Sequence, residues 1–377
     1  MPDEHPDARL IIAASETDAD LFYATRFLAP DAFIFLQTKA EKRLLMSDLE
    51  LDRARAQAQV DAVLSLSHYQ KRAKERGVES PNHLDALHQV LQERGVKSLE
   101  VPRNFPIHAA DHLRNAGYDV SFPSGAFFPE RAFKSPEEIE RIRQVQRHTE
   151  AAMDAAFAAL REAEVKDDIL CQNGEPLTSE AVRRLIAVTL MERECTARHT
   201  IVACGDQACD PHNRGQGPLR VGLPIVIDIF PQSDRTGYFA DITRTFVKGP
   251  PTDEMRRLYA TVREGQDLAI DRIRDGADGK DIHQAVMDLF ESRDYKTGEI
   301  DGRMQGFFHG TGHGVGLEIH EQPRIGRTAG ALRAGHVVTV EPGLYYPGRG
   351  AVRIEDLVVV TESGCENLTQ YPKELEV

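Results

Sequence analysis

The 377-residue sequence has no apolar run of roughly 18 residues or more, the length that a membrane-spanning helix requires. It also has no long basic run. Its 46 Lys and Arg residues are outnumbered by 60 Asp and Glu, giving a formal net charge of -14. An acidic surface repels phosphate backbones, so neither nucleic acid nor a membrane is an expected partner. The excess acid reads first as a solubility feature. Disulfide and zinc-finger patterns are missing too. The five cysteines (Cys171, Cys195, Cys204, Cys209, Cys365) are odd in number and include no CxxC pair. They are expected to be free thiols in a reducing compartment. The opening MPDEHPDARL is polar and acidic, without the basic start and apolar core of a secretory leader. A cytoplasmic location is the resulting default expectation.

What is present is an ordinary globular balance, 41% hydrophobic and 28% charged. At roughly 100–200 residues per domain, the length allows two or three domains. Residues 9–134 read as an α/β unit. Leu10–Ile12, Phe33–Leu36, Arg43–Met46 and Ser98–Val101 have strand length, and 82–93 carries Leu84, Leu87, His88 and Leu91 on one helical stripe. His83, His88, His108 and His112 are scattered here without a catalytic pattern. The proline-rich stretch Ser121–Pro136 marks a boundary. Ser135-Pro136-Glu137-Glu138 then starts a long helix with a capping box. Beyond it helices and strands alternate. Thr178 and Thr252 cap helices, another helix lies near 280–292, and strands are expected at 224–230, 239–247, 337–341 and 352–360. No internal repeat is visible.

The chemistry is concentrated between Cys204 and Glu355. Asp228 closes the apolar strand Pro224–Ile227, where a carboxylate is costly unless it is neutralised. A metal would neutralise it; a capped turn is the plain alternative. Strand alternation puts Asp241 on one face with Thr243 and Thr245, opposite Ile242, Arg244 and Phe246. Phe308–His320 holds three histidines and four glycines within thirteen residues. So much glycine is entropically expensive and suits close backbone approach. The helical zinc motif HExxH is absent, which excludes a mononuclear zincin site in this segment. Glu341 ends a strand at Pro342-Gly343. Arg353 and Glu355 lie two apart and face one side, where a simple salt bridge is the alternative. A carboxylate-rich set with one imidazole suits paired Mn²⁺, Co²⁺, Fe²⁺ or Zn²⁺. Ions roughly 3.5–4 Å apart can hold a bridging hydroxide for attack on a carbonyl.

Four ordered segments, GYFADITRTF (237–246), HGTGHGVGLEIHE (309–321), EPGLY (341–345) and VRIED (352–356), resemble the pita-bread metallopeptidases. That family includes Xaa-Pro aminopeptidase (aminopeptidase P), Xaa-Pro dipeptidase (prolidase) and methionine aminopeptidase. The likeness covers about 135–377, and Asp210-Pro211-His212 is similar to the family's upstream histidine segment. The resemblance implies an α/β (α+β) chain with a creatinase-type amino-terminal domain over 1–134 and a pita-bread catalytic domain over 135–377. It implies two divalent ions, Mn²⁺ foremost, held by Asp228, Asp241, His313, Glu341 and Glu355, with Asp241 and Glu355 bridging. Glu341 would also help to activate the bridging hydroxide. His212 and His320 would contact substrate and stabilise the tetrahedral intermediate, and His309 and Arg353 would lie beside the metal groups or bind substrate. A homodimer is the implied assembly.

One segment departs from the family pattern. The usual Asp-x-Gly is replaced by Asp228-Ile229-Phe230, and Asp241 follows Asp228 at a longer spacing. A hairpin insertion of even length near Ser233–Thr236 would preserve which face each strand residue occupies. Asp234 is the competing ligand, but it falls in the turn. The expected activity is hydrolysis of Xaa-Pro bonds in dipeptides or short peptides, with prolidase slightly favoured over aminopeptidase P. The alternatives are an inactive pita-bread scaffold protein and a creatinase-like amidinohydrolase, which uses the same fold without metal.

Overall fold

The computed structural model describes residues 6–377; the first five, which begin the polar stretch read above as lacking a leader, lie outside the described residues. The chain divides into two compact units, Met1–Arg131 and Ala132–Val377. The division falls just ahead of the helix start at Ser135.

The first unit is a sheet covered on both faces. Strands β1 (Ala8–Ala13), β2 (Phe33–Thr38), β3 (Lys42–Met46), β4 (Ala62–Ser65), β5 (Ser98–Glu100) and β6 (Asp119–Ser121) lie in the order β4-β3-β2-β1-β5-β6. The central three pair antiparallel, with Leu10 opposite Leu36 and Phe35 opposite Leu44. The outer pairs are parallel. Alternation sends Leu10, Ile34, Leu36 and Leu45 into one core, with Leu87 and Leu91 of the helix His83–Glu93. Ile11, Phe33, Phe35 and Leu44 enter the other core, with Leu21 and Phe27. Burial on both faces explains why these strands are unbroken apolar runs. Each such side chain contributes roughly 1.5–3 kcal/mol. His88 bonds the Tyr118 hydroxyl at 3.0 Å and serves packing.

The second unit opens on the helix Pro136–Glu162, whose capping box of Ser135 and Glu138 is formed in both directions. Its apolar stripe of Ile142, Val145, Ala152, Ala156 and Leu160 is buried. Thr178, Thr252 and Asp278 cap the helices Ser179–Met191, Asp253–Arg272 and Gly279–Ser292 through side-chain oxygens. Two sheets carry the chemistry-bearing strands. One is antiparallel, with Pro224–Ile229 between Ile201–Cys204 and Ile242–Val247. The other has the order Glu321–Ile325, Gly312–Gly314, Val337–Val340, Asp356–Val360, Cys365–Asn367. A hairpin of Gly343–Tyr346 and Gly350–Arg353 falls in sequence between Val337–Val340 and Asp356–Val360 of the second sheet.

Two strands differ from the sequence expectation, and both differences shape the site. The strand expected over 239–247 begins only at Ile242. The amide of Asp241 leaves the ladder and donates instead to the buried Gln146 side chain at 3.2 Å. The strand expected over 352–360 is broken. Gly350–Arg353 belongs to the hairpin and Asp356–Val360 to the five-stranded sheet, with Glu355 bridged to Thr243 at the crossing. Periodicity does not reveal a chain that changes sheets, because both halves are equally apolar.

Behind that crossing lies Arg244, fully buried. Its guanidinium pairs with buried Asp356 at 2.8 Å and donates to the carbonyls of Thr243, Glu355, Tyr371 and Pro372. Lys373 supplies a second cation 2.8 Å from Asp356. Every donor of the fork is used, as a buried charge requires.

Candidate metal centre

Antiparallel pairing puts Asp228 opposite Thr243. Partners across such a ladder share a face, and Asp241, just ahead of the strand, lines the same cavity as Asp228. The hairpin between them turns through Ser233–Gly237, with Ser233 bonding Tyr238 and Gly237 through the backbone. Asp234 sits in that turn, exposed, and accepts the Thr196 hydroxyl at 2.9 Å. It takes no part in the site.

The glycine-rich segment brings His313 in from the second sheet. A Cβ at Gly312 would overlap the Thr339 carbonyl, so only glycine allows these two strands to approach there. The Thr339 hydroxyl accepts the His313 amide at 3.1 Å. His313 Nδ1 lies 3.1 Å from the Gly314 carbonyl, which assigns the proton to Nδ1 and leaves the Nε2 lone pair free. Nε2 faces Glu341 at 3.5 Å and Asp241 at 3.8 Å. Ligand atoms of Asp241, His313 and Glu355 lie within 4.8 Å of one another. Glu341 is anchored by its amide to the Thr311 carbonyl at 2.8 Å. The crossing strand delivers Glu355, whose Oε2 accepts the Thr243 hydroxyl at 2.7 Å.

These groups line one cavity of about 640 Å³. Burial, reinforced by Glu355, Asp228 and Glu341, pushes the Asp241 carboxyl well above its ordinary range. Burial also raises Glu355, which faces Glu341 and Asp228. Glu341 is pushed up to about 7, first by burial and then by Asp228, against the opposing pull of Arg353. Desolvation lowers His313 to about 3, so its imidazole is neutral. Oδ1 of Asp228 and Oδ1 of Asp241 are buried without a hydrogen-bond partner. Crowded carboxylates with orphaned oxygens and a neutral imidazole are the donor set that a divalent cation satisfies. The residues present therefore fit a metal.

Around this set the protein supplies supports. Arg353 donates to Asp228 Oδ2 at 2.7 Å, to the Tyr345 hydroxyl at 3.0 Å and to Thr243 Oγ1 at 3.2 Å. Burial works against its charge, but Tyr345, Asp228 and Glu341 hold it firmly protonated. His309 lies 2.8 Å from Tyr345 Oη through Nε2 and 2.8 Å from the Gly310 carbonyl through Nδ1. Both residues line the cavity, yet their polar atoms are engaged by protein groups. His212 and His320 are different. Both are exposed on the cavity wall, with the His320 ring edge-on to His313 at 4.4 Å. The loop that carries His320 is held by Glu321, which accepts the Leu317 and Glu318 amides and pairs with buried Lys134 at 2.8 Å.

All nine residues singled out from sequence, His212, Asp228, Asp241, His309, His313, His320, Glu341, Arg353 and Glu355, line this one cavity. Sequence reasoning passed over Tyr345, although it stands inside the EPGLY segment. It also passed over Arg324, three residues beyond the HGTGHGVGLEIHE segment, and over Gln146 and Lys134, which are remote in sequence and gave no local signal.

The sequence pattern of Metallopeptidase family M24 matches residues 140–362, more than half of the chain. An Xaa-Pro dipeptidase of Pyrococcus horikoshii is 30% identical over 302 residues, 79% of this chain and 80% of that protein. An Xaa-Pro dipeptidase of Pyrococcus furiosus is 33% identical over 247 residues, and the match spans 65% of each chain, just under two thirds. Among solved structures, the prolidase of P. horikoshii superposes with a TM-score of 0.79 at 25% identity, covering 98% of this chain and 95% of that one. The X-Pro aminopeptidase of Thermotoga maritima gives 0.82 at 24%, covering 99% and 98%. The chain therefore belongs to metallopeptidase family M24, and its fold is the two-part architecture, an amino-terminal α/β unit followed by a pita-bread unit, of the prolidase and aminopeptidase P structures.

Proposed function

We propose that this protein is an Xaa-Pro dipeptidase that works with two divalent metal ions, Mn²⁺ foremost and Co²⁺, Zn²⁺ or Fe²⁺ as alternatives. The observation that carries the reading is the gathering of Asp228, Asp241, His313, Glu341 and Glu355 in one cavity, with unsatisfied buried carboxylate oxygens. Those five residues would hold the ions. Bound divalent ions would polarise the scissile carbonyl and lower the pKa of a water nucleophile.

The remaining roles belong to the chain itself. The Glu341 carboxylate takes the proton of the attacking water and returns it to the proline nitrogen, which must leave as a secondary amine. His212 and His320 offer N–H donors at the cavity wall to the oxyanion that develops on the carbonyl oxygen. Arg353 and Tyr345 keep Asp228 and His309 in position. Arg324 is an exposed guanidinium on the same wall, with no salt-bridge partner among the described residues. It is suited to the free carboxylate of a dipeptide, which favours dipeptidase over aminopeptidase P. The likeness to the T. maritima aminopeptidase keeps the second reading in play.

A reducing cytoplasm, with which five free cysteines are consistent, and a homodimer complete the proposal. Hydrolysis of Xaa-Pro dipeptides against Xaa-Pro-Yaa tripeptides, with Mn²⁺, Co²⁺ or Zn²⁺ added, tests it. Cleavage of dipeptides alone supports prolidase, and cleavage of tripeptides supports aminopeptidase P. Cleavage of neither returns the chain to a scaffold role. Light scattering tests the dimer.

A further inference from the structure

The proposed function leaves open which residue precedes proline. A dipeptide ends in a carboxylate, and the cavity wall offers a cation for it. Four carboxylates, Asp228, Asp241, Glu341 and Glu355, crowd one part of the cavity, while Arg324 is a cation on its wall with no salt-bridge partner among the described residues. Arg353 is already committed to Asp228. The substrate carboxylate therefore goes to Arg324, which stands opposite His313 in the five-stranded sheet, and the first residue points toward the three-stranded sheet that carries Asp228. The side chain of the first residue then lies beside an acidic strand.

Asp228 is that strand's cavity residue, and it has apolar neighbours on the same face. Ile201 is its direct partner across the antiparallel ladder, and Phe230 follows it by two positions. Both line the cavity, Ile201 almost wholly buried and Phe230 partly exposed to it. Asp228 beside them is taken up by Arg353 and, in the proposed function, by the ions, so it offers a substrate side chain no free countercharge. A charged side chain on the substrate would gain no countercharge from Ile201 or Phe230 and would lose its hydration. The phenyl ring also takes up volume at the place where the resembling pattern has glycine.

We infer that Phe230, together with Ile201, forms the wall that receives the side chain of the residue before proline. The wall selects small and medium uncharged residues over aromatic ones. The inference rests on the Xaa-Pro reading above.

The test is kcat/KM of the metal-loaded enzyme for Ala-Pro, Leu-Pro, Phe-Pro and Glu-Pro, in the wild type and in Phe230→Ala, Phe230→Gly and Phe230→Leu. A cavity wall altered by several methylenes changes discrimination by at least about tenfold. The ratio of Phe-Pro to Ala-Pro is expected to rise by that factor in Phe230→Ala and Phe230→Gly, and less in Phe230→Leu, which retains most of the packing. Calorimetric binding of the product amino acids phenylalanine and alanine should shift in the same order, without any turnover. A ratio that does not rise, in variants that melt as cooperatively as the wild type, overturns the inference while leaving the Xaa-Pro reading intact. A wild type that cleaves none of the four peptides overturns the reading itself, and the inference with it.

Discussion

Arg353 and Asp228 form a buried ion pair, 2.7 Å between Nη2 and Oδ2, that spends one carboxylate oxygen on the protein and leaves Oδ1 facing the cavity without a partner. A cation fixed behind an aspartate in this way keeps it aimed. Removing either partner strands the other charge, which costs about 3–5 kcal/mol for a buried pair. Arg353→Ala should lower the denaturation midpoint by that order and weaken metal binding. Arg353→Lys keeps the charge but loses the fork that also reaches Thr243 and Tyr345, and should lie between. Chemical denaturation and metal titration measure both. Unchanged metal affinity in Arg353→Ala would remove the positioning role.

The hydroxyl of Tyr345 lies between two of these groups, 2.8 Å from His309 Nε2 and 3.0 Å from Arg353 Nη1. Tyr345→Phe leaves a buried imidazole nitrogen and a buried N–H unpaired. The cost should be about 1–3 kcal/mol. Turnover should fall roughly 10–100-fold, the size of effect seen when groups that orient metal ligands are removed. Equilibrium unfolding together with kcat separates the two effects.

His313 and Glu341 face each other at 3.5 Å. His313→Ala removes the only imidazole of the clustered set and Glu341→Gln removes the proton carrier. Both variants should fold and both should lose turnover by more than about 10³-fold, since general acid–base catalysis alone supplies about 10²–10⁴. Metal analysis is expected to show a reduced metal content for His313→Ala. An active Glu341→Gln enzyme would remove Glu341 from the mechanism.

Metal removal should make stability depend on pH in a defined direction. In the metal-free fold, burial and mutual repulsion raise Asp241 and Glu355, and they bring Glu341 from an ordinary 4.5 to about 7. At these three carboxyls the native state binds more protons than the unfolded chain between those values, so their contribution to stability falls as pH rises, while buried neutral histidines such as His313 contribute in the opposite sense below 6.5. Each pK unit is worth about 1.4 kcal/mol. Chelated protein should therefore melt lower at pH 7.5 than at pH 6.5, above the range where the histidines oppose the trend, and added Mn²⁺ should restore most at the higher pH. Melting curves at both pH values, with and without chelator, check this; a metal effect independent of pH would contradict it.

Arg244 carries a structural prediction. It is fully buried, paired with Asp356 and bonded to four carbonyls. Arg244→Ala should cost about 3–5 kcal/mol, enough to take a large part of a domain's stability. Soluble yield and urea unfolding would register it.

The candidate metal-binding groups of this protein were legible before their arrangement. Asp241, His313, Glu341 and Glu355 stand in segments whose glycines, strand alternation and turn signals are local, and local patterns survive in a one-dimensional string. Helix starts at Ser135, Thr178 and Thr252 were legible for the same reason, because a cap acts on an amide two or three residues away. The even insertion after Asp228 could be argued from parity alone, and the pairing of Asp228 with Thr243 agrees with it.

Other features had no local trace. Gln146 diverts the amide of Asp241 from its strand across 95 positions, and Lys134 reaches Glu321 across 187. The break at Ile354–Glu355, where the chain crosses from hairpin to sheet, is invisible to periodicity because both sheets bury their strands equally. By itself, then, the sequence determined which groups could do the chemistry and which local segments carry them. Only the tertiary structure decided that Arg353 serves Asp228, that Tyr345 bridges His309 to it, and that Phe230 and Ile201 flank the acidic end of the cavity. Those relationships depend on how separate strands pack, and packing is set by the whole chain at once.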